Sequence, residues 1–169
     1  MLKNIKHKIF YYIKEILLVI LTMSILSNII SLYKSQSLLE TPLELKSVKL
    51  INNNTYNIQT TKPILIHFWA TWCPTCKLEA SNINFLSKYF QVITIAVKSG
   101  SNYEIKQYLD ENEYNYMVVN DPNGDISSNF KINAFPTTFI YDKNKKLIFS
   151  EVGYTSTIGL ALRMFWADN

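Results

Sequence analysis

A chain of 169 residues leaves room for one domain of ordinary size, about 100 to 150 residues, and an appendage. With 48% hydrophobic, 14% aromatic and 18% charged residues it is not a wholly disordered chain, and its two cysteines, Cys73 and Cys76, are too few for a disulfide-stapled scaffold. The formal charge of +4 lies in residues 1–34, where five lysines face one glutamate; beyond them twelve basic residues balance twelve acidic ones, so nothing supports a nucleic-acid surface.

Residues 1–15 are basic, and residues 16–33, ILLVILTMSILSNIISLY, follow without a charge. As a helix these eighteen residues cover about 27 Å, close to the ~30 Å hydrocarbon core of a bilayer, and predict a single transmembrane anchor. Lys3, Lys6, Lys8 and Lys14 precede the run and only Lys34 follows closely, so the positive-inside bias puts residues 1–15 in the cytoplasm and the remainder outside it. A cleaved signal peptide fits less well, because no small-x-small site follows the run. Residues 34–47, with Pro42 and no hydrophobic period, read as a tether, and a domain is expected over residues 48–167.

Within that domain, Val48 to Ile51 and Thr55 to Gln59 flank three asparagines and predict a short hairpin. Pro63 opens ILIHFWA, an apolar run suited to a strand buried on both faces. Pro74 suits the first turn of a helix through KLEASNINFLSKYF, and VITIAV supplies the next strand. Ser101 is placed to cap a helix NYEIKQYLDENE, and MVV forms a third strand that ends at the Asp121-Pro122-Asn123-Gly124 turn. A short helix over Ser127 to Phe130 leads to Pro136, after which TTFIYD and KLIFSEV read as paired strands, and Thr155 or Ser156 caps a last helix to Trp166. This order predicts an α/β domain with a mixed central sheet and helices on both faces.

The chemistry lies in Trp72-Cys73-Pro74-Thr75-Cys76, where the buried strand turns into a helix. A thiol at the amino end of a helix faces unpaired N–H groups and the positive end of the macrodipole, both of which favour thiolate. Cys73 is therefore the expected nucleophile, ionised and open to solvent, with Cys76 one turn on as the resolving thiol. A purely structural disulfide would close too short a loop to add much stability. Zinc ordinarily needs four ligands and the exported part adds only His67, so no complete metal site is expected, although two thiolates could hold a cuprous ion.

PILIHFWATWCPTC and AFPTTFIYD, with the closing strand and helix, resemble the thioredoxin superfamily across residues 48–167. The anchor and the extra helix and strand before DPNG resemble its exported, membrane-tethered TlpA/ResA-like branch; AVKSG, VVNDPNG and GYTSTIGLALRMFWA resemble the copper-linked subgroup of suppressor-of-copper-sensitivity protein D. The resemblance implies a thioredoxin-like fold and a protein disulfide oxidoreductase without a cofactor, held in a bacterial inner membrane with its domain in the periplasm. It further implies protein disulfides as substrates, reduction as the direction, and a DsbD-like membrane electron donor. Reduction of apocytochrome c cysteines is the alternative role, and a copper-binding module without redox turnover the alternative of another class.

By the same resemblance Pro136 is the cis proline opposite Cys73, and Phe135 offers backbone to an extended substrate. Trp72 and Pro74 belong to the substrate-facing rim. Glu79, three residues after Cys76, matches a carboxylate implicated in proton management, although acidic residues are also favoured near any helix start. His67 departs from the pattern: thioredoxins carry a buried aspartate six residues before the first cysteine, and here an imidazole stands there, either as a proton relay or as a hydrogen-bonded core residue.

Overall fold

The computed structural model describes residues 10–19, 21–23, 25–26, 29, 43 and 46–168. Of the expected anchor, residues 16–19, 21–23, 25–26 and 29 are helical and exposed, and its other residues lie outside the described residues, as does most of the tether. Among the described residues, no helix is long and apolar enough to cross a membrane.

A two-stranded antiparallel hairpin comes first, β1 (Ser47–Lys49) and β2 (Thr55–Asn57). Its turn takes Asn53 at φ 66°, a left-handed conformation that asparagine tolerates, and Asn54 N–H donates to Asn52 Oδ1 at 3.0 Å. The chain then runs through β3 (Ile64–Trp69), α1 (Pro74–Leu86), β4 (Gln91–Val97), α2 (Asn102–Glu111), β5 (Met117–Asp121), α3 (Asp125–Asn129), β6 (Thr137–Tyr141), β7 (Leu147–Val152) and α4 (Thr157–Asp168). Five strands form one sheet in the order β5-β4-β3-β6-β7. The β3/β4 and β4/β5 pairs are parallel, β3/β6 and β6/β7 antiparallel, so the sheet is mixed.

Every residue of β3 and β4 is buried, as the unbroken apolar runs require. Alternation divides them between two cores. Leu65 and Trp69 meet Ile83 and Leu86 of α1, Ile105 and Leu109 of α2, and Leu160 and Met164 of α4. Ile64, Ile66 and Phe68 meet Leu43, Ile58, Phe130 and Phe139. Helices do not share the two faces evenly: α1, α2 and α4 pack on one, while the other is closed by the hairpin, Leu43 and the chain around the short α3.

Local signals explain the helix ends. Ser101 Oγ accepts from Glu104 N–H at 3.3 Å and the Glu104 carboxylate accepts from Ser101 N–H at 2.7 Å, a reciprocal capping box. Helix α3 begins at Asp125, ahead of the expected Ser127, because the Asp121 carboxylate takes Ile126 N–H at 3.1 Å and Ser127 N–H at 2.8 Å. Its N-cap, Gly124, lies at φ 85°, where a Cβ would be strained and would meet Lys98 Cε at 3.0 Å. For α4, Ser156 is the cap, its Oγ accepting from Gly159 N–H at 3.2 Å.

Candidate active site

Strand β3 ends at Trp69, and three residues turn the chain so that Cys73 becomes the N-cap of α1 with Pro74 in the first turn. Cys73 N–H donates to Ala70 O at 3.2 Å, which closes that turn. Cys73 and Cys76 are joined in a disulfide, with Cα atoms 5.3 Å apart. Cys76 N–H donates to Cys73 Sγ at 3.1 Å, so the first sulfur occupies the cap position that a serine or aspartate oxygen usually takes. This contact and the helix dipole both stabilise negative charge on Cys73 once the disulfide opens.

The expectation that Cys73 stands open to solvent needs correction. In the disulfide it is 5% exposed and Cys76 2%, because both sulfurs belong to the apolar core and Phe135 packs on that core. The exposed group is Trp72, at 58%. Its indole Nε1–H donates to Lys98 O at 3.1 Å, and its ring meets that of Phe135 edge-on with centroids 5.7 Å apart. The Phe135–Pro136 peptide bond is cis. Pro136 O accepts from Gly153 N–H at 2.8 Å, and Thr137, next in the chain, begins β6 beside β3, so sheet pairing carries the proline loop to the disulfide end of the domain.

Glu79 lies one turn beyond Cys76 on the inward side of α1 and is fully buried. Its Oε1 accepts from Thr155 N–H at 3.3 Å, while Oε2 has no hydrogen-bond partner among the described residues. Burial pushes its carboxyl up to about 8; the Thr155 bond opposes this and the nearby Glu151 charge adds to it. Glu151 is itself bridged to Arg163 Nε of α4 at 2.7 Å.

His67 is also buried, and its Nδ1 shares a 2.9 Å hydrogen bond with Thr138 Oγ1. Burial lowers the imidazole to about 3, so it is neutral near pH 7, and the charged form that would favour a thiolate is not the resting one. Sheet register aligns Thr94, His67, Thr138 and Glu151 across four strands on the face that carries α1 and α4. A polar row thus crosses the apolar layer behind the disulfide.

Sequence reasoning singled out Cys73, Cys76, Trp72, Phe135, Pro136, Glu79 and His67 but gave no part in the site to Thr138, Glu151 and Arg163, and named Thr155 only as a helix cap. Only cross-strand register and the docking of α4 bring those four to His67 and Glu79, and no local pattern announces either. Lys98, whose carbonyl holds Trp72, takes φ 46° at the end of β4, a backbone feature with no sequence signal in a lysine. Among the described residues, no group of three or more His, Cys, Asp or Glu side chains is placed to hold a metal ion.

Known proteins share this architecture. A thioredoxin-like protein of Haemophilus influenzae is 35% identical over 133 residues, 75% of this chain and 79% of that one. The thiol-disulfide oxidoreductase ResA of Oceanobacillus iheyensis is 29% identical over 91 residues, 51% of this chain and 47% of its own length. A secreted disulfide oxidoreductase of Mycobacterium tuberculosis, described as homologous to E. coli DsbE, superposes with a TM-score of 0.61 at 18% identity, over 71% of this chain and 94% of that one. The AhpC/TSA family model matches residues 41–150, which include both cysteines, Glu79 and Pro136. With most of the domain inside that match, the chain belongs to the AhpC/TSA family, built on a thioredoxin-like fold.

Proposed function

We propose that this chain is a thiol-disulfide oxidoreductase of the ResA/DsbE type that works outside the cytoplasm, tethered to the membrane by residues 16–33, as a reductant of protein disulfides. The observation that carries the reading is the Cys73–Cys76 disulfide at the N-cap of α1, beside an exposed Trp72 and the cis Phe135–Pro136 bond. A donor dithiol first reduces the pair, delivering two electrons and two protons. The Cys73 thiolate then attacks one sulfur of a substrate disulfide; a mixed disulfide forms, and the other substrate sulfur leaves and takes up a proton. Cys76 gives up its proton, attacks Cys73 Sγ and restores the starting disulfide, and the second substrate thiol is released.

In this reading Glu79 receives the Cys76 proton. Burial lifts the Glu79 carboxyl to about 8, so it can hold a proton near neutral pH, and one helical turn separates it from Cys76. The Phe135 backbone and the Trp72 and Pro74 rim support an extended substrate segment. The electron donor that suits an exported, tethered reductant is a DsbD-like membrane protein, and the resemblance to the copper-linked subgroup makes protein disulfides formed under copper stress the favoured clients.

The test is a Cys76→Ser variant, which leaves Cys73 to form mixed disulfides that cannot resolve. Covalent adducts with exported proteins that disappear on reduction are the expected result. Adducts confined to apocytochromes c would assign the chain to haem-site reduction. Absence of adducts, with one cuprous ion bound per wild-type chain, would make it a copper-binding module.

A further inference from the structure

The outer side of α4 is apolar where a surface helix is ordinarily polar. Its core side is Leu160, Met164 and Ala167, and opposite them on the helical wheel stand Ile158, Leu162 and Trp166, exposed at 73, 64 and 73%. The stripe continues past Phe165, whose ring rests on Phe90 with centroids 5.3 Å apart, to the exposed Tyr89 just beyond the end of α1. Single exposed apolar residues need no explanation, but several on one side of one helix mark a surface that something covers.

The surroundings say what covers it. A groove of about 710 Å³ runs from Phe165 and Tyr89 to Gln59 and Lys62. Lys145 Nζ donates to the carbonyls of Gln59 and Lys62, at 2.6 and 3.4 Å, and Lys145 O accepts from Leu43 N–H at 3.0 Å. The groove therefore ends where the tether enters the domain. The nine residues 34–42 between the apolar run and Leu43 span at most about 30 Å, so this end of the domain stays close to any membrane that holds residues 16–33.

The charge at this end has the sign an anionic surface attracts. Lys62, Lys88, Lys143 and Lys146 are exposed around the groove and the β6–β7 turn. Two acids face these four lysines, Asp142, whose carboxylate accepts from the N–H groups of Asn144 and Lys146 at 2.8 and 2.9 Å, and Asp168 at the groove. Glu111 and Glu113 lie at the end of α2 toward β5, the opposite edge of the sheet from the β6–β7 turn.

We infer that the outer side of α4 and the groove beside it lie in the headgroup layer of an anionic bilayer, the bilayer that carries the tether; the inference rests on the membrane-anchored reading. Ile158, Leu162 and Trp166 enter the boundary between headgroups and acyl chains, an aromatic residue sitting at the interface it favours, and the lysines reach the phosphates. Helix α1 runs beside α4, with Glu79 bonded to Thr155, Asn82 to Thr157 and Phe90 packed on Phe165, so it lies along the same surface behind α4.

The full chain, reconstituted in mixed phosphatidylcholine and phosphatidylglycerol vesicles whose acyl chains carry bromine near the headgroup end, tests this. Trp166 emission is taken as the difference between the chain and its Trp166→Phe variant, which cancels Trp69 and Trp72. Bromination is expected to remove about half of that emission, since an interfacial helix buries its apolar side some 5–10 Å deep. The Leu162→Glu and the double Lys62→Glu, Lys88→Glu variants, all at exposed sites, are expected to restore most of it. A chain that floats with the vesicles while Trp166 ignores bromine overturns the inference and leaves the anchor standing. A Trp166 emission that shifts to the blue with chain density but ignores bromine gives the surface to a second copy, and also overturns it. A chain that does not float with any vesicle removes the anchor and this inference together.

Discussion

At Glu79, burial and chemistry pull in opposite directions. A carboxyl with one oxygen lacking a partner among the described residues would be an expensive core residue if its only task were packing, yet burial is what lifts it to about 8. Glu79→Gln keeps the shape and removes the proton acceptor. The expected outcome is loss of the inflection near pH 8 from the rate of mixed-disulfide resolution and a slowing of about a hundredfold, the lower end of general-base contributions; stopped-flow measurement against pH checks both. Stability should move with it. The folded carboxyl titrates above its ordinary 4.5, so its contribution is fully present below pH 4.5 and is lost as pH rises through about 8. Urea titrations across that window should show a decline that Glu79→Gln flattens. His67 has the opposite sign: lowered from 6.5 to about 3, it costs stability as pH falls below 6.5, and His67→Gln should relieve an acid-side loss. The cysteines and Glu79 were legible because they stand at fixed spacings in one short segment, Trp72 to Glu79, and Pro136 because it sits in a second segment, AFPTTFIYD. The Thr138 partner of His67 was not, since it follows from β6 running antiparallel to β3 in one particular register.

At the scale of elements, chemistry and stability depend on different ends of helices. Helix α1 begins at Cys73 and uses its unpaired N–H groups to hold a sulfur, which leaves its capping energy tied to the redox state. Helix α2 is capped in the ordinary way by Ser101 and Glu104. Ser101→Ala should cost about 1 kcal/mol, read as a lower urea midpoint with an unchanged slope, and should leave disulfide exchange untouched. Strand and helix order was readable because β3 and β4 are apolar on both faces and Pro63, Pro74, Ser101 and Gly124 punctuate the chain. The uneven cover of the sheet was not: hydrophobic pattern gives α1, α2 and α4 a buried side but does not say that all three choose the same face. The early start of α3 likewise came from a carboxylate at the end of β5, a contact outside the helix itself.

Across the whole molecule the two ends of the sheet divide the work. One carries the sulfurs, Trp72 and the cis proline loop; the other carries the tether entry, the lysines and the end of α4. The thiolate at a helix start stabilises the reduced form, whereas burial of both sulfurs in the disulfide favours the oxidised one, and the balance sets the direction of flow. Titration of the full chain against defined dithiol–disulfide buffers measures that balance directly. The account predicts a midpoint nearer that of thioredoxin, about −270 mV, than that of DsbA, about −120 mV, and a midpoint at the DsbA end would contradict it by making the chain an oxidant.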